Sequence, residues 1–165
     1  APLLSGGGQE RGIRSGTLPA PLVVGFGEAA RIAAIEGMLE SGRIAAQRNR
    51  FLTALRAAIP GLMLNAEDAP RVAGNASVAF PGNVTAQAIM AAAPGLCVST
   101  GSACSSAEVE PSYVLRAIGL DESRARATLR IGMGRFTSPA DADRAAAMLA
   151  EAWTAAVSTK NRAAE

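Results

Sequence analysis

The chain contains no histidine, and Lys160 is its only lysine. Histidine is the side chain that most often serves as a general base near neutral pH, and it is a common zinc ligand. A Cys–His nucleophile pair and a His-containing zinc site are therefore excluded within this sequence. If a cysteine of this chain is catalytic, its base or its cofactor must come from elsewhere.

Aromatic residues are also scarce, at 4% of the sequence, while hydrophobic residues make up 49%. The 165 residues suffice for one domain with a core of aliphatic side chains. A net charge of +2, with scattered arginines, predicts no nucleic-acid surface. No apolar run approaches the roughly 20 residues that span a bilayer, and the first residues lack a signal-peptide pattern. We therefore expect a cytoplasmic protein with no membrane contact and with reduced thiols.

The hydrophobic pattern predicts several short elements after one long helix. Apolar spacings of three, four and seven predict a helix over residues 20–59. Strands are predicted at 62–64, 73–80, 96–98 and 128–131, and shorter helices at 86–93, 111–118 and from 139 onward. Thr85 and Ser138 are the expected N-caps. Short strands and helices around one small sheet predict an α+β domain.

Cys104 lies in the stretch 99–106, STGSACSS, among small and hydroxyl-bearing residues. A thiol on an accessible loop is suited to react, because the thiolate is the nucleophile and access controls its rate. The sequence alone leaves a reactive thiol and a passive loop thiol open. Cys97, in an apolar run, is predicted to be a small core residue instead.

Three polar residues have both a structural and a functional interpretation. Arg130 follows a strand-like run, so it is either a surface cation or a bidentate partner for a carboxylate. Thr17 is either a turn or cap residue or a ligand contact, and Arg135 ranks second to Arg130. Arg11 and Arg14, which flank a glycine turn, are expected to form scaffold ion pairs.

Three segments, in order and covering almost the whole chain, carry a family resemblance. They are residues 6–17 (GGGQERGIRSGT), residues 99–120 (STGSACSS and, later, EPSYVLRAIGL) and residues 129–137 (LRIGMGRFT). Together they resemble the corresponding motifs of NifS/IscS-type cysteine desulfurases, which are pyridoxal-phosphate enzymes of the class-V aminotransferase family. The resemblance implies the aspartate-aminotransferase-like fold, with a large cofactor domain before a small C-terminal domain. Residues 1–20 would be a remnant of the large domain, and residues 21–165 the connecting helix and the small domain.

The resemblance also implies roles for three residues. Cys104 would take sulfur from the substrate L-cysteine as a persulfide and release alanine, and could transiently ligate an iron–sulfur cluster. Arg130 would hold the substrate α-carboxylate. Thr17 would bind the phosphate of pyridoxal phosphate in the partner subunit, which implies a homodimer. The long stretch over 99–111 favours the class whose loop reaches a sulfur acceptor directly, for iron–sulfur cluster assembly or thiolation.

The sequence departs from the family by omission. The family's Schiff-base lysine and its cofactor-stacking histidine have no counterpart, since Lys160 lies in a polar tail without a matching pattern. We therefore expect the chain alone to be inactive. Two alternatives stay open: a non-catalytic interaction or dimerisation module, and a related class-V enzyme such as a selenocysteine lyase or an aminotransferase.

Overall fold

The computed structural model describes residues 1–100 and 112–163 of the chain. The chain divides into two compact units, Ala1–Leu39 and Glu40–Glu165. The predicted assignment of residues 1–20 to a larger cofactor domain, with residues 21–165 as connecting helix and small domain, stays a prediction.

The first unit consists of a glycine-rich loop and the beginning of a long helix. The loop contains a 3₁₀ turn at Glu10–Gly12 and a single parallel bridge between Leu4 and Arg14. Helix α1 spans Ala20–Ala58, which confirms the helix predicted over 20–59. The large apolar side chains in its first two turns are exposed, among them Leu22, Val24 and Phe26.

The second unit is built on a three-stranded antiparallel sheet in the order β1–β2–β3. Strand β1 is Met63–Leu64, β2 is Asn75–Ala79 and β3 is Thr128–Gly132. The strand predicted at 96–98 is wrong. The backbone N–H of Leu96 donates to Ala93 O at 3.0 Å, so the chain turns there instead of extending.

The described residues form four further helices: α2 (Ala86–Ala92), α3 (Tyr113–Ala117), α4 (Glu122–Arg126) and α5 (Pro139–Ala163). The predicted caps are confirmed, since Thr85 Oγ1 accepts from Ala88 N at 3.2 Å and Ser138 Oγ accepts from Asp141 N at 3.1 Å. Helix α4 was not predicted. Asp121 caps it by accepting from Arg124 N at 2.9 Å.

The core lies on one face of the sheet, between the sheet and the helices α1, α2 and α5. Its largest fully buried aliphatic and aromatic side chains come from all of these elements: Phe51, Leu55, Ile59, Val78, Ile89, Leu129 and Leu149. The result is the predicted α+β architecture, a small sheet packed by helices. In the described part of the chain, no helix is both long enough and apolar enough to cross a membrane.

Candidate functional site

The face of the sheet that points away from the core is polar. Successive side chains of a strand point to opposite faces, so Ala76, Val78, Leu129 and Ile131 enter the core. The alternate positions are Asn75, Ser77 and Ala79 in β2 and Thr128, Arg130 and Gly132 in β3, and four of these six carry polar side chains. Ser77 lies directly opposite Arg130 in the register. This polar face is the floor of the candidate site.

A cavity of about 460 Å³ opens on this floor. Asn65, Ser77, Thr128 and Arg130 are among the residues that line it from the sheet side. The segment 66–72 and helix α3 supply apolar wall residues such as Pro70, Val72, Val114, Leu115 and Ile118. A polar floor with apolar walls is typical of a small-ligand site.

The charged residues that line the cavity, within the described ranges, are both cations: Arg71 and Arg130. The Arg71 guanidinium donates to the backbone carbonyls of Ala66 and Glu67. The Arg130 side chain is exposed, and no carboxylate of residues 1–100 or 112–163 pairs with it. A cation that no described carboxylate neutralises, at a partly enclosed floor, favours an anionic ligand, and a guanidinium suits a carboxylate in a bidentate arrangement.

The residues that flank the segment of Cys104 lie at this cavity. Thr100 and Ser112, the residues on either side of residues 101–111, both line it. Ser99 forms an isolated antiparallel bridge with Arg130. Cys104 itself lies outside the described residues.

Arg135, which ranked second to Arg130, has a structural partner. Its guanidinium lies 3.5 Å from a carboxylate oxygen of Glu40 on helix α1. Arg43, one turn further along α1, donates to the backbone carbonyls of Arg135 and Thr137. The ion pair of Glu40 and the hydrogen bonds of Arg43 therefore attach the β3–α5 connection, which follows Arg130, to helix α1.

Thr17 lies in the first unit and is exposed. The preceding glycine loop is closed by side chains, since Ser15 Oγ accepts from Gly8 N at 3.1 Å and Gln9 Oε1 accepts from Gly16 N at 2.9 Å. The scaffold ion pairs predicted for Arg11 and Arg14 do not form among the described residues. Arg14 donates to the carbonyl of Gly16 at 2.9 Å, and no described carboxylate pairs with either arginine.

Cys97 is exposed, so its prediction as a core residue is wrong. The turn at residues 93–96 directs the chain along the outside of the core instead of through it. Cys97 lines a shallow groove together with Ile131, Met133 and Met148.

The described residues do not form a complete pyridoxal-phosphate site. Lys160 lies in the last turns of α5, and its ammonium donates to Asn83 O at 2.6 Å, away from the cavity residues. Among the described residues, Thr17 is the one for which the resemblance implies a contact with the cofactor phosphate. Among residues 1–100 and 112–163, no three His, Cys, Asp or Glu side chains cluster closely enough to hold a metal ion.

Sequence reasoning identified Arg130 but missed the residues beside it. Asn65, Arg71, Ser77 and Thr128 were not singled out, although all four line the cavity. The alternation along 75–79, in which Asn75 and Ser77 separate Ala76 and Val78, was the available signal for a polar sheet face.

Comparison with known proteins gives a consistent result. The profile of the aminotransferase class-V family matches residues 5–145. A cysteine desulfurase IscS from Anaeromyxobacter sp. (strain Fw109-5) is 46% identical over 148 residues, which is 90% of this chain and 36% of that protein. The chain thus spans about a third of the length of its curated relatives.

Two solved structures are similar in fold. A NifS-like protein from Rickettsia africae ESF-5 matches 93% of this chain and 40% of that chain with a TM-score of 0.81 at 23% identity. SspA in complex with cysteine matches 84% of this chain and 37% of that chain with a TM-score of 0.59 at 30% identity.

Proposed function

The chain belongs to the aminotransferase class-V family, and from this premise we propose that it is the C-terminal part of a cysteine desulfurase. The reaction would convert L-cysteine and an enzyme thiol into L-alanine and an enzyme persulfide. Its relatives at about 46% identity are named cysteine desulfurases, which supports this choice within the family.

One observation in the structure carries the proposal. Arg130, a cation with no described carboxylate partner, lines the same cavity as Thr100 and Ser112, the two residues that flank the segment of Cys104. The residue proposed to bind the substrate carboxylate and the two residues that flank the Cys104 segment therefore line one cavity. A substrate held at Arg130 would lie in the cavity that Thr100 and Ser112 also line.

In the proposed reaction, Arg130 binds the α-carboxylate of L-cysteine, and the thiolate of Cys104 attacks the substrate sulfur. The carbon–sulfur bond breaks and a sulfur–sulfur bond forms. The β-carbon of the substrate takes a proton and becomes the methyl group of alanine. The carbon is reduced and the sulfur is oxidised, so no external oxidant is needed.

The proposal includes pyridoxal phosphate, but the described residues do not form a complete site for it, and we derive no step through it. Thr17 would contact the cofactor phosphate bound in a partner subunit of a homodimer. We propose that the chain alone does not turn over cysteine. The exposed apolar side chains of Leu22, Val24 and Phe26 on α1 support burial against further protein surface, since large exposed apolar patches mark interaction sites.

The sulfur on Cys104 would pass to an iron–sulfur scaffold or to another acceptor in the cytoplasm. The persulfide of Cys104 would then act as a transient cluster ligand. The length of 99–111 supports direct transfer to such an acceptor.

The test measures alanine release from L-cysteine by a protein that contains this chain together with the cofactor domain. Cys104→Ala is compared with Cys97→Ala, its matched control, because Cys97 is the other cysteine and lies in a separate groove. We expect Cys104→Ala to lose alanine release and Cys97→Ala to keep it. Turnover that survives in Cys104→Ala would reject the desulfurase in favour of another class-V reaction.

The exposed apolar side chains of α1 also favour a second candidate, a non-catalytic interaction module. Gel filtration of the chain and its labelling by an intact desulfurase with ³⁵S-cysteine separate the two. In the module, Cys104 would be a sulfur acceptor only. A chain that associates and takes label on Cys104, while the protein that also contains the cofactor domain releases no alanine, would therefore support the module.

A further inference from the structure

We propose that Asn65 is a positioning residue for Arg130, acting through Ser77 and Thr128. The inference rests on the proposed function, in which Arg130 holds a carboxylate. All four residues line the same cavity. None of the three supporting residues follows from the motifs of the sequence.

The hydrogen bonds of Asn65 connect the three strands under the cavity. Its Nδ2 donates to Ser77 Oγ at 3.0 Å and to Thr128 Oγ1 at 3.3 Å. Its backbone N–H donates to Ser77 O at 2.8 Å. Asn65 directly follows β1, while Ser77 and Thr128 lie in β2 and β3.

The direction of these bonds is set by Thr128. Its hydroxyl donates to Arg124 O at 2.8 Å, and a hydroxyl has only one hydrogen to give. Its oxygen must therefore accept from Asn65, which places the NH₂ end of the amide toward both hydroxyls. A reversed amide would bring two oxygens together and leave a buried group unpaired.

Arg130 is flanked by the two residues that Asn65 holds. Thr128 precedes it by two positions on the same face, and Ser77 is its cross-strand partner. The backbone N–H and C=O of Arg130 both bond to Ser99, so its pairing with Ser77 is of the non-hydrogen-bonded kind, in which side chains lie closest.

The floor is also rigid, because Asn65 is 8% exposed and Thr128 is 2% exposed. Buried polar groups cost free energy when they lose their partners, so the network favours one arrangement of the strands. A fixed floor limits the orientations available to the Arg130 stem. The Arg130 side chain then loses less conformational entropy when its guanidinium binds a carboxylate.

The test is a titration of the ¹⁵N-labelled chain with sodium acetate as the carboxylate probe, against sodium chloride at equal ionic strength. The side-chain Nε–Hε signal of Arg130 is assigned by its loss in Arg130→Lys. The backbone amides of Ser77 and Ile131 give a second readout that survives that substitution.

Two variants remove the network and two control for its loss. Asn65→Ala deletes the amide, and Thr128→Val deletes its hydroxyl acceptor at nearly equal volume. Thr128→Ser keeps that hydroxyl. Val78→Ala removes buried contacts from the core face of the same sheet and leaves the polar face intact.

We expect Asn65→Ala and Thr128→Val to raise the apparent acetate Kd roughly threefold or more and to move the Arg130 Nε–Hε signal toward that of a free arginine side chain. Thr128→Ser and Val78→Ala should titrate like the wild type. If Asn65→Ala gives no dispersed spectrum, the pair Thr128→Val and Thr128→Ser carries the test.

Two results would overturn the inference, and they differ. Arg130→Gln removes the positive charge, which Arg130→Lys retains. If Arg130→Gln abolishes the acetate response while Thr128→Val and any folded Asn65→Ala titrate like the wild type, only the positioning role fails. If Arg130→Gln leaves the acetate-induced shifts of Ser77 and Ile131 unchanged, Arg130 is not the carboxylate anchor, and both proposals fail together.

Discussion

Ser99 and Arg130 exchange both of their backbone hydrogen bonds. Ser99 N donates to Arg130 O at 3.2 Å, and Arg130 N donates to Ser99 O at 2.6 Å. The pair is an isolated bridge and does not belong to a longer strand pairing. The chain therefore enters the Cys104 segment from a point fixed to the backbone of the residue that we propose as the carboxylate anchor.

Ser99→Pro should weaken this attachment, because proline has no N–H to donate to Arg130 O. We expect a loss of about 1 kcal/mol in the free energy of unfolding, measured by urea denaturation. Ser99→Ala keeps the backbone donor and is the matched control. Equal stability of the two variants would show that the bridge contributes nothing.

Gly74→Ala should be more costly, because the new Cβ would overlap the carbonyl oxygen of Met133. It would also lie 2.9 Å from the carbonyl carbon of Met133 and 3.0 Å from Ile44 Cγ2. The backbones of Gly74 and Met133 are held together by a hydrogen bond of 2.9 Å, so neither can move freely. We expect a loss of about 1–3 kcal/mol in urea denaturation.

The control for this substitution is Gly132→Ala in strand β3. Apart from its two chain neighbours, no described residue has an atom within 4 Å of a Cβ built there. We expect its stability to stay within about 0.5 kcal/mol of the wild type. If Gly74→Ala is as stable as Gly132→Ala, the backbones of Gly74 and Met133 move apart without a loss in the free energy of unfolding.

Local signals in the sequence predicted most of the elements. Helix α1, strands β2 and β3 and the caps Thr85 and Ser138 follow from apolar spacing and from side chains that accept backbone N–H groups. These features depend on neighbours within a few residues. Arg130 was singled out because it follows a strand-like run and because the family resemblance implies a carboxylate-binding arginine there.

The remaining features depend on contacts between residues far apart in sequence. Cys97 lies in an apolar run, yet the turn before it keeps it out of the core. Asn65 carries no motif, and its importance comes from meeting Thr128, 63 positions away. Because composition and periodicity report only local preference, neither outcome could be derived from them.

Acidification should destabilise the second unit through Asp143. Arg50 donates to both of its carboxylate oxygens at 2.6 Å, and this hydrogen bonding holds the pKa of Asp143 below its ordinary value of 3.8. A carboxyl with a lowered folded-state pKa contributes stability that is present above the ordinary pKa. That stability is lost as the pH falls through the folded value.

We therefore expect the urea midpoint of the wild type to fall below about pH 4, and to fall less in Asp143→Asn. Glu151→Gln, on the same helix, is the control and should follow the wild type. If Asp143→Asn shows the wild-type acid profile, the ion pair with Arg50 does not form in solution.

Arg43→Met tests the attachment of the β3–α5 connection to helix α1. Methionine keeps an apolar stem of similar length but loses the donors to the carbonyls of Thr137, at 3.0 Å, and Arg135. We expect a loss of about 1–2 kcal/mol in urea denaturation, because two acceptors lose their partner. Arg48→Met is the control, since Arg48 lies on the same helix and donates to its neighbour Asn49.

Salt distinguishes the carbonyl bonds of Arg43 from its ion pair. Glu40 lies 3.8 Å from the Arg43 guanidinium, and a partly exposed pair of this kind is screened by salt and contributes little. The bonds to the carbonyls are short-range and should persist. Most of the difference between Arg43→Met and Arg48→Met should therefore remain at about 1 M NaCl. If the difference disappears at high salt, the ion pair with Glu40 accounts for the effect. The hydrogen bonds of Arg43 would then not stabilise the β3–α5 connection.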